Sequence, residues 1–229
     1  MESGLNQLLY NYRGSIAVTY KMVGLLPSWK HFRDDTNALS RPIHFGPEWS
    51  HAHALSGMPI DNHLWITDPP ASSFPACIAF KCVEAQSPSY APVYLRALRE
   101  AVMIRARNIA RTEVLIQIAC DLIQRLPHFD PFAFRQDLTG QRGRDLFRAD
   151  WQHALYRGIK RVPTLVFTTE RGVSTLLQGY QSYDALQKSI HSLLPDIEPQ
   201  TPTLNPEAYA RFWPYPLTQK EIDDYREAS

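Results

Sequence analysis

"RGIKRVPTLVFTTERGVSTLLQGY", residues 157–180, decides how the rest of the chain is read. Two short apolar runs, PTLVF and VSTLLQGY, are joined by TTERG, and Gly172 in that joint suits a tight hairpin. Pro163 stands at the mouth of the first run, where it brings no ladder donor. Proline is tolerated as the first residue of a strand, so one reading is a plain strand start. The other is a cis Val162–Pro163 bond that shapes a binding site, a geometry found in only about 5–6% of X–Pro bonds. The stretch itself does not choose between them.

Immediately downstream, Ser182 is a helix cap, with Tyr183, Leu186, Ile190 and Leu193 on one stripe. Upstream, residues 72–156 read as helical. A serine cap opens SSFPACIAFKCVEAQ, and Leu95, Leu98 and Val102 share a stripe in the next run. Thr112 is expected to cap a helix carrying Leu115, Ile118, Ala119 and Leu122. Asp130-Pro131 is a cap followed by proline at the first helical position, with Gly140 as the stop. A further helix presents Leu146, Phe147, Trp151, Ala154 and Leu155, and ends at Gly158.

At the start of the chain, Leu5, Leu8, Leu9 and Tyr12 fall at helical spacing, and Gly14 closes that helix. SIAVTYKMVG then alternates, placing Ile16, Val18, Tyr20 and Met22 on one face of an expected strand. Residues 26–70 are rich in Pro, His and Trp with little periodicity, and read as a long connecting excursion. Beyond Pro195 a proline-rich linker leads to a short tail without a clear pattern.

With 229 residues and 44% hydrophobic content, the chain has material for a substantial core. A net charge of +1, with dispersed basic residues, argues against nucleic acid as a partner and against a polybasic membrane anchor. No apolar run spans a bilayer, and the N-terminus lacks the pattern of a signal peptide, so a cytoplasmic protein is expected. Cys77, Cys82 and Cys120 do not suit a secreted disulfide framework. Cys77 and Cys82 lie about 140° apart around one helix, which disfavours a bridge, and all three read as buried, inert thiols.

A strand, a helical block, a proline-started hairpin and a closing helix together resemble the DsbA-like thioredoxin-fold family, thiol–disulfide oxidoreductases with a helical insertion. The matching stretches are SIAVTYKMVGLLPSW, GMPIDNHLWITDPPASSFPACIAFKCVEAQ, the helical block, and RGIKRVPTLVF with GYQSYDALQKSI, within residues 5–194. The resemblance implies an α/β fold: a thioredoxin-like sheet with an inserted all-helical domain. Residues 1–25 and 159–194 would form the thioredoxin-like part, 26–70 the excursion, 71–158 the helical insertion and 195–229 the linker and tail. It also implies that Pro163 is the family's cis-proline, with Val162 and Thr164 beside it pairing with an extended protein or peptide substrate.

The family's chemistry resides in a Cys-x-x-Cys after its first strand, where a thiolate at a helix N-terminus attacks the substrate disulfide. No Cys-x-x-Cys occurs in these 229 residues. On this reading Met1 falls inside the C-terminal part of that helix, and the family's N-terminal unit is absent through start assignment, truncation or decay. SIAVTYK and PTLVF must then pair directly, borrow a strand or leave ladder groups unpaired. Cys77 is the best substitute nucleophile among the three cysteines, since DPPASSFPAC approaches the groove in the resemblance, yet it has no adjacent resolving cysteine and suits core packing equally well.

Three other chemistries compete. His44, Glu48, His51, His53 and His63 have zinc-ligand types but poor spacing, so a locally bonded loop with no metal is expected. A glutathione-dependent branch resembling kappa-class glutathione transferases uses the same missing first-helix position. A non-catalytic peptide-binding or adaptor module would keep the groove alone, with Trp29, Phe32, Trp49 and Trp65 either lining it or packed beneath the helices. Asp34-Asp35 and Asp223-Asp224 read as solvated surface. The expected protein is a thioredoxin-like member without its dithiol, inactive in redox chemistry, with no cofactor.

Overall fold

The computed structural model describes residues 2–30, 32, 34, 39–159, 161–200 and 205–227; Asp35 and residues 201–204 of the linker lie outside them. In chain order come α1 (Glu2–Asn11), α2 (Phe45–Ser56), α3 (Leu64–Thr67), α4 (Phe74–Gln86), α5 (Ala91–Met103) and α6 (Thr112–Asp121). These are followed by α7 (Pro131–Thr139), α8 (Gln141–Tyr156), the strands β1 (Thr164–Thr168) and β2 (Ser174–Gln178), α9 (Tyr183–Leu193), α10 (Pro206–Phe212) and α11 (Gln219–Glu227). The chain divides into two compact units, residues 1–19 with 155–229, and residues 20–154. Among the described residues no helix is long and apolar enough to cross a membrane.

In the first unit, helical spacing at Leu8 and Tyr12 aims those side chains at Leu186 and Ile190 of α9. Leu165, Phe167 and Leu177 of the hairpin pack onto the same core. Two helices thus cover one face of a two-stranded antiparallel sheet. The Ser182 hydroxyl accepts a hydrogen bond from the Ala185 N–H, capping α9 as its sequence predicts. Gly172, at a φ of +82°, takes the left-handed conformation that the TTERG joint requires.

The tail differs from its patternless reading. Asn205 caps α10, and Thr218 and Glu221 form a reciprocal capping box at the start of α11. The signal was present as T-x-x-E in TQKE, residues 218–221. Tyr209 and Tyr225 stack with ring centroids 4.1 Å apart, and Tyr10 of α1 meets both rings edge-on.

The second unit is helical, with Phe80, Tyr94, Leu115 and Phe134 at its centre. Asp130 caps α7 by accepting from the Phe132 and Ala133 N–H groups, as expected. Thr112 does not cap α6: Arg111 holds the extended cap position and Thr112 is the first helical residue. In α8 the buried stripe is Gly143, Phe147, Asp150 and Ala154, rotated from the predicted one, so that Trp151 and Leu155 are exposed. Gly143 explains the rotation. A β-carbon there would lie 2.5 Å from the Asp137 carbonyl oxygen and 2.8 Å from the Cys82 sulfur, so only glycine permits this close approach to α4.

The alternating stretch SIAVTYKMVG is not a strand. Residues 16–24 carry no ladder among the described residues, and the sheet contains β1 and β2 alone. Alternation specifies a half-buried surface, and a strand additionally needs a neighbour to bond with. Here a side chain takes the neighbour's place: the Asp150 carboxylate accepts from the Met22 N–H at 3.0 Å and from Lys21 Nζ at 2.8 Å. Asp150 also pairs with Lys81 Nζ at 3.0 Å, and Lys81 in turn bonds Glu84.

The stretch 26–70, read as lacking periodicity, contains α2 and α3. They are held by ring packing in place of an apolar stripe. Trp65 stacks on Phe45 at 4.6 Å, Trp49 meets Trp65 edge-on at 5.1 Å, and Trp29 contacts Phe32 and Phe45.

Candidate functional site

Gly158, at a φ of +65°, ends the turn after α8 and releases the chain toward the hairpin. The Val162–Pro163 peptide bond is cis. Just before it the Arg161 carbonyl accepts a hydrogen bond from the Thr164 hydroxyl at 2.6 Å. Val162 is 41% exposed although it is apolar.

Pro163 needs no donor where it stands. Its carbonyl accepts from the Gly179 N–H at 2.8 Å, continuing the ladder one position beyond β1 with the acceptor alone. This contact also sets the parity of the strand. The register pairs Leu165 with Leu177, Val166 with Leu176 and Phe167 with Thr175. In an antiparallel ladder, bonded and non-bonded pairs alternate. With Pro163–Gly179 bonded at one end and Thr169–Val173 at the other, Leu165 and Phe167 bond toward β2.

The N–H and C=O groups of Thr164, Val166 and Thr168 therefore point away from β2, to an edge that has no strand beside it among the described residues. Their side chains share the face opposite the core, where Val166 is 37% exposed beside Leu176. Such an edge is a template for an added strand. Of the possibilities raised by the missing neighbour, β1 neither pairs with residues 16–24 nor has a third strand beside it among the described residues.

Val162, Pro163 and Thr164 are thus consecutive at the start of this edge, whereas Cys77 belongs to the other compact unit. Cys77 lies in α4 and its thiol is pushed up to about 12, first by burial and further by the negative Asp150, against a partial opposing bond from Gly24. Cys82 is pushed up to about 12 by burial, with Asp137 adding to the effect. A thiol with this pKa is the reverse of an activated nucleophile. All three cysteines are free thiols; Cys82 is buried as expected, whereas Cys77 and Cys120 keep partial exposure, contrary to the expectation that all three are buried.

A pH dependence follows. Folded Cys77 and Cys82 keep their protons to about pH 12, while an unfolded thiol releases its proton near the reference value of 9.0. Their stabilising contribution is complete below pH 9 and is lost as pH rises toward 12. At pH 8, Ellman's reagent is expected to reach these two thiols only on unfolding. Rapid labelling of Cys77 in the native protein would contradict this.

Three of the four histidines in this stretch, His44, His53 and His63, are occupied locally. His63 Nδ1 bonds the Asp61 carboxylate at 2.7 Å, His53 Nδ1 meets the Met58 carbonyl at 2.6 Å, and His44 Nδ1 accepts from the Ser40 N–H. Asp61 is held below the usual carboxylate range, first by the His63 backbone N–H and then by its ring. Among the described residues no group of three or more His, Cys, Asp or Glu side chains is placed to hold a metal ion. The sequence reading missed Val166 and Thr168, whose place on the outward edge follows from the parity that Pro163 and Gly179 impose.

Known proteins resemble this chain in sequence and in fold. A protein named ClpXP adapter protein SpxH from Halalkalibacterium halodurans is 26% identical over 194 residues, covering 83% of this chain and 61% of that protein. The SpxH of Bacillus subtilis is 29% identical over 181 residues, covering 76% of this chain and 58% of that protein. The chain thus spans about three fifths of the length of these relatives. A crystal structure from Nitrosomonas europaea, described as a candidate protein disulfide isomerase, aligns with a TM-score of 0.56 at 20% identity. It covers 65% of this chain and 71% of that one, and shows the same thioredoxin-like fold. The family model described as thioredoxin matches residues 1–188, and the chain belongs to that family.

Proposed function

We propose that this chain acts as an adaptor, using the edge that begins at Val162 and Pro163 to hold an extended segment of a client protein. The observation that carries this reading is the open edge of Thr164, Val166 and Thr168 in a sequence with no Cys-x-x-Cys. Main-chain hydrogen bonds to an incoming strand supply affinity without any nucleophile, and exposed Val162 and Val166 supply apolar contact. The oxidoreductase chemistry implied by the DsbA-like resemblance has no such support, because burial keeps the Cys77 and Cys82 thiols protonated.

The names of the SpxH relatives extend the reading to ClpXP as a second partner, to which the client would be presented. Surface plasmon resonance with purified ClpXP over the immobilised chain tests this part. Saturable binding with a Kd on the order of 1 µM, about −8 kcal/mol, is expected. Absence of binding at concentrations a hundredfold higher would exclude ClpXP as the partner.

A further inference from the structure

Helix α1 is buried on two opposite faces, and the two are unlike. Leu5, Leu8 and Tyr12 face the core shared with α9 and the hairpin. Ser3, Asn6, Gln7 and Tyr10, at i, i+3, i+4 and i+7, are also buried. On that second face Tyr10 lies 5.2 Å from the Tyr209 ring and 5.8 Å from the Tyr225 ring, and Asn6 donates to the Glu221 carboxylate at 3.3 Å. The tail helices α10 and α11 thus meet this stripe at Tyr10 and Asn6, and helical spacing sets buried Ser3 and Gln7 on the same side of α1.

We propose that residues 205–227 are a detachable clasp, released from α1 as a unit while the α1–α9–hairpin core stays folded. Two independent features carry this. The first is poor polar satisfaction: Ser3 Oγ, Gln7 Oε1, Tyr209 OH and Trp213 Nε1 are buried with no hydrogen-bond partner among the described residues. Each of these groups regains water on release, so docking carries a cost that opening removes. Glu221, fully buried, likewise regains hydration.

The second feature is what release uncovers. The aromatic cluster of Tyr10, Tyr209 and Tyr225 is separate from the core of Leu8, Tyr12, Leu186 and Ile190. Opening the clasp exposes Ser3, Asn6 and Gln7, which water solvates readily, and leaves that core covered. A boundary of this kind is where a protein opens sub-globally. Release presents a polar, tyrosine-bearing face of α1, so access to that face is controlled by the chain's own C-terminal helices.

Native-state hydrogen exchange on the full chain, read by mass spectrometry, tests the clasp. Amides of α10 and α11 are expected to exchange through one shared opening, about tenfold or more faster than those of α9. Gln7→Leu removes an unpartnered polar group from the closed interface and is expected to slow that opening severalfold. Tyr209→Ala removes the central ring and is expected to speed it while α9 stays within about twofold of the parent. Exchange of the tail and α9 at one common rate would overturn the proposal. So would a Gln7→Leu chain whose tail opens no more slowly, or a Tyr209→Ala chain in which α9 loses protection along with the tail.

Discussion

Asp150→Ala is expected to destabilise the protein by about 3–5 kcal/mol, because it leaves the Met22 N–H without its acceptor and the buried Lys81 charge with Glu84 as its one remaining carboxylate. Asp150 is 2% exposed and accepts from Lys21, Lys81 and the Met22 backbone N–H. The side chain of Lys81 is only 10% exposed. Burial on its own favours the neutral amine, but Glu84 and Asp150 outweigh it and hold the Lys81 pKa above its ordinary value of 10.5. The stabilisation is therefore fully present below pH 10.5 and is lost as pH rises through the higher folded value.

Near neutral pH the Asp150→Ala loss corresponds to a Tm drop of roughly 6–20 °C for a chain of this size. Urea denaturation of parent and variant measures it. Removing the buried lysine and its second carboxylate as well, in Asp150→Leu/Lys81→Met/Glu84→Leu, is expected to recover a large part of the loss, since an apolar replacement of a buried charge group is often neutral or better. A loss under about 1 kcal/mol in Asp150→Ala would mean that Lys81 and the Met22 N–H find water in place of the carboxylate.

The second large effect concerns the edge. Val166→Pro removes an N–H that points away from β2, so the ladder through Leu165 and Phe167 stays intact. An incoming strand loses one hydrogen bond and is left with a buried acceptor unsatisfied, a cost of about 1–3 kcal/mol or roughly 10- to 100-fold in affinity. Proteins captured on the immobilised chain from a bacterial lysate, quantified by mass spectrometry, give the readout. Val166→Pro is expected to lose the captured clients while retaining ClpXP binding, and Val166→Thr is expected to keep both. Equal capture by Val166→Pro and the parent would remove β1 from the binding surface.

How far the sequence discloses this depends on whether a signal is local. The hairpin, the Ser182 cap, the Asp130-Pro131 start and the stripe of α6 are set by neighbours in sequence, and each lies where its residues predict. SIAVTYKMVG misleads because alternation reports surface and not pairing, and its backbone partner is a carboxylate more than a hundred residues away. Asp150 itself is legible only as a charged residue on the apolar stripe with Phe147 and Ala154. The rotation of α8 depends on Gly143 meeting α4, a contact that no helical period predicts. At the site, Pro163 marks the position, but the open edge becomes visible only once Gly179 is known to bond its carbonyl.

The claim that this thioredoxin-family chain works by binding, without a nucleophile of its own, is tested most directly by dithiothreitol-driven insulin reduction. A rate for the 229-residue chain equal to that of buffer alone is expected, with Cys77→Ala indistinguishable from the parent. Turnover above buffer that disappears in Cys77→Ala would contradict it, and would make Cys77 a catalytic thiol.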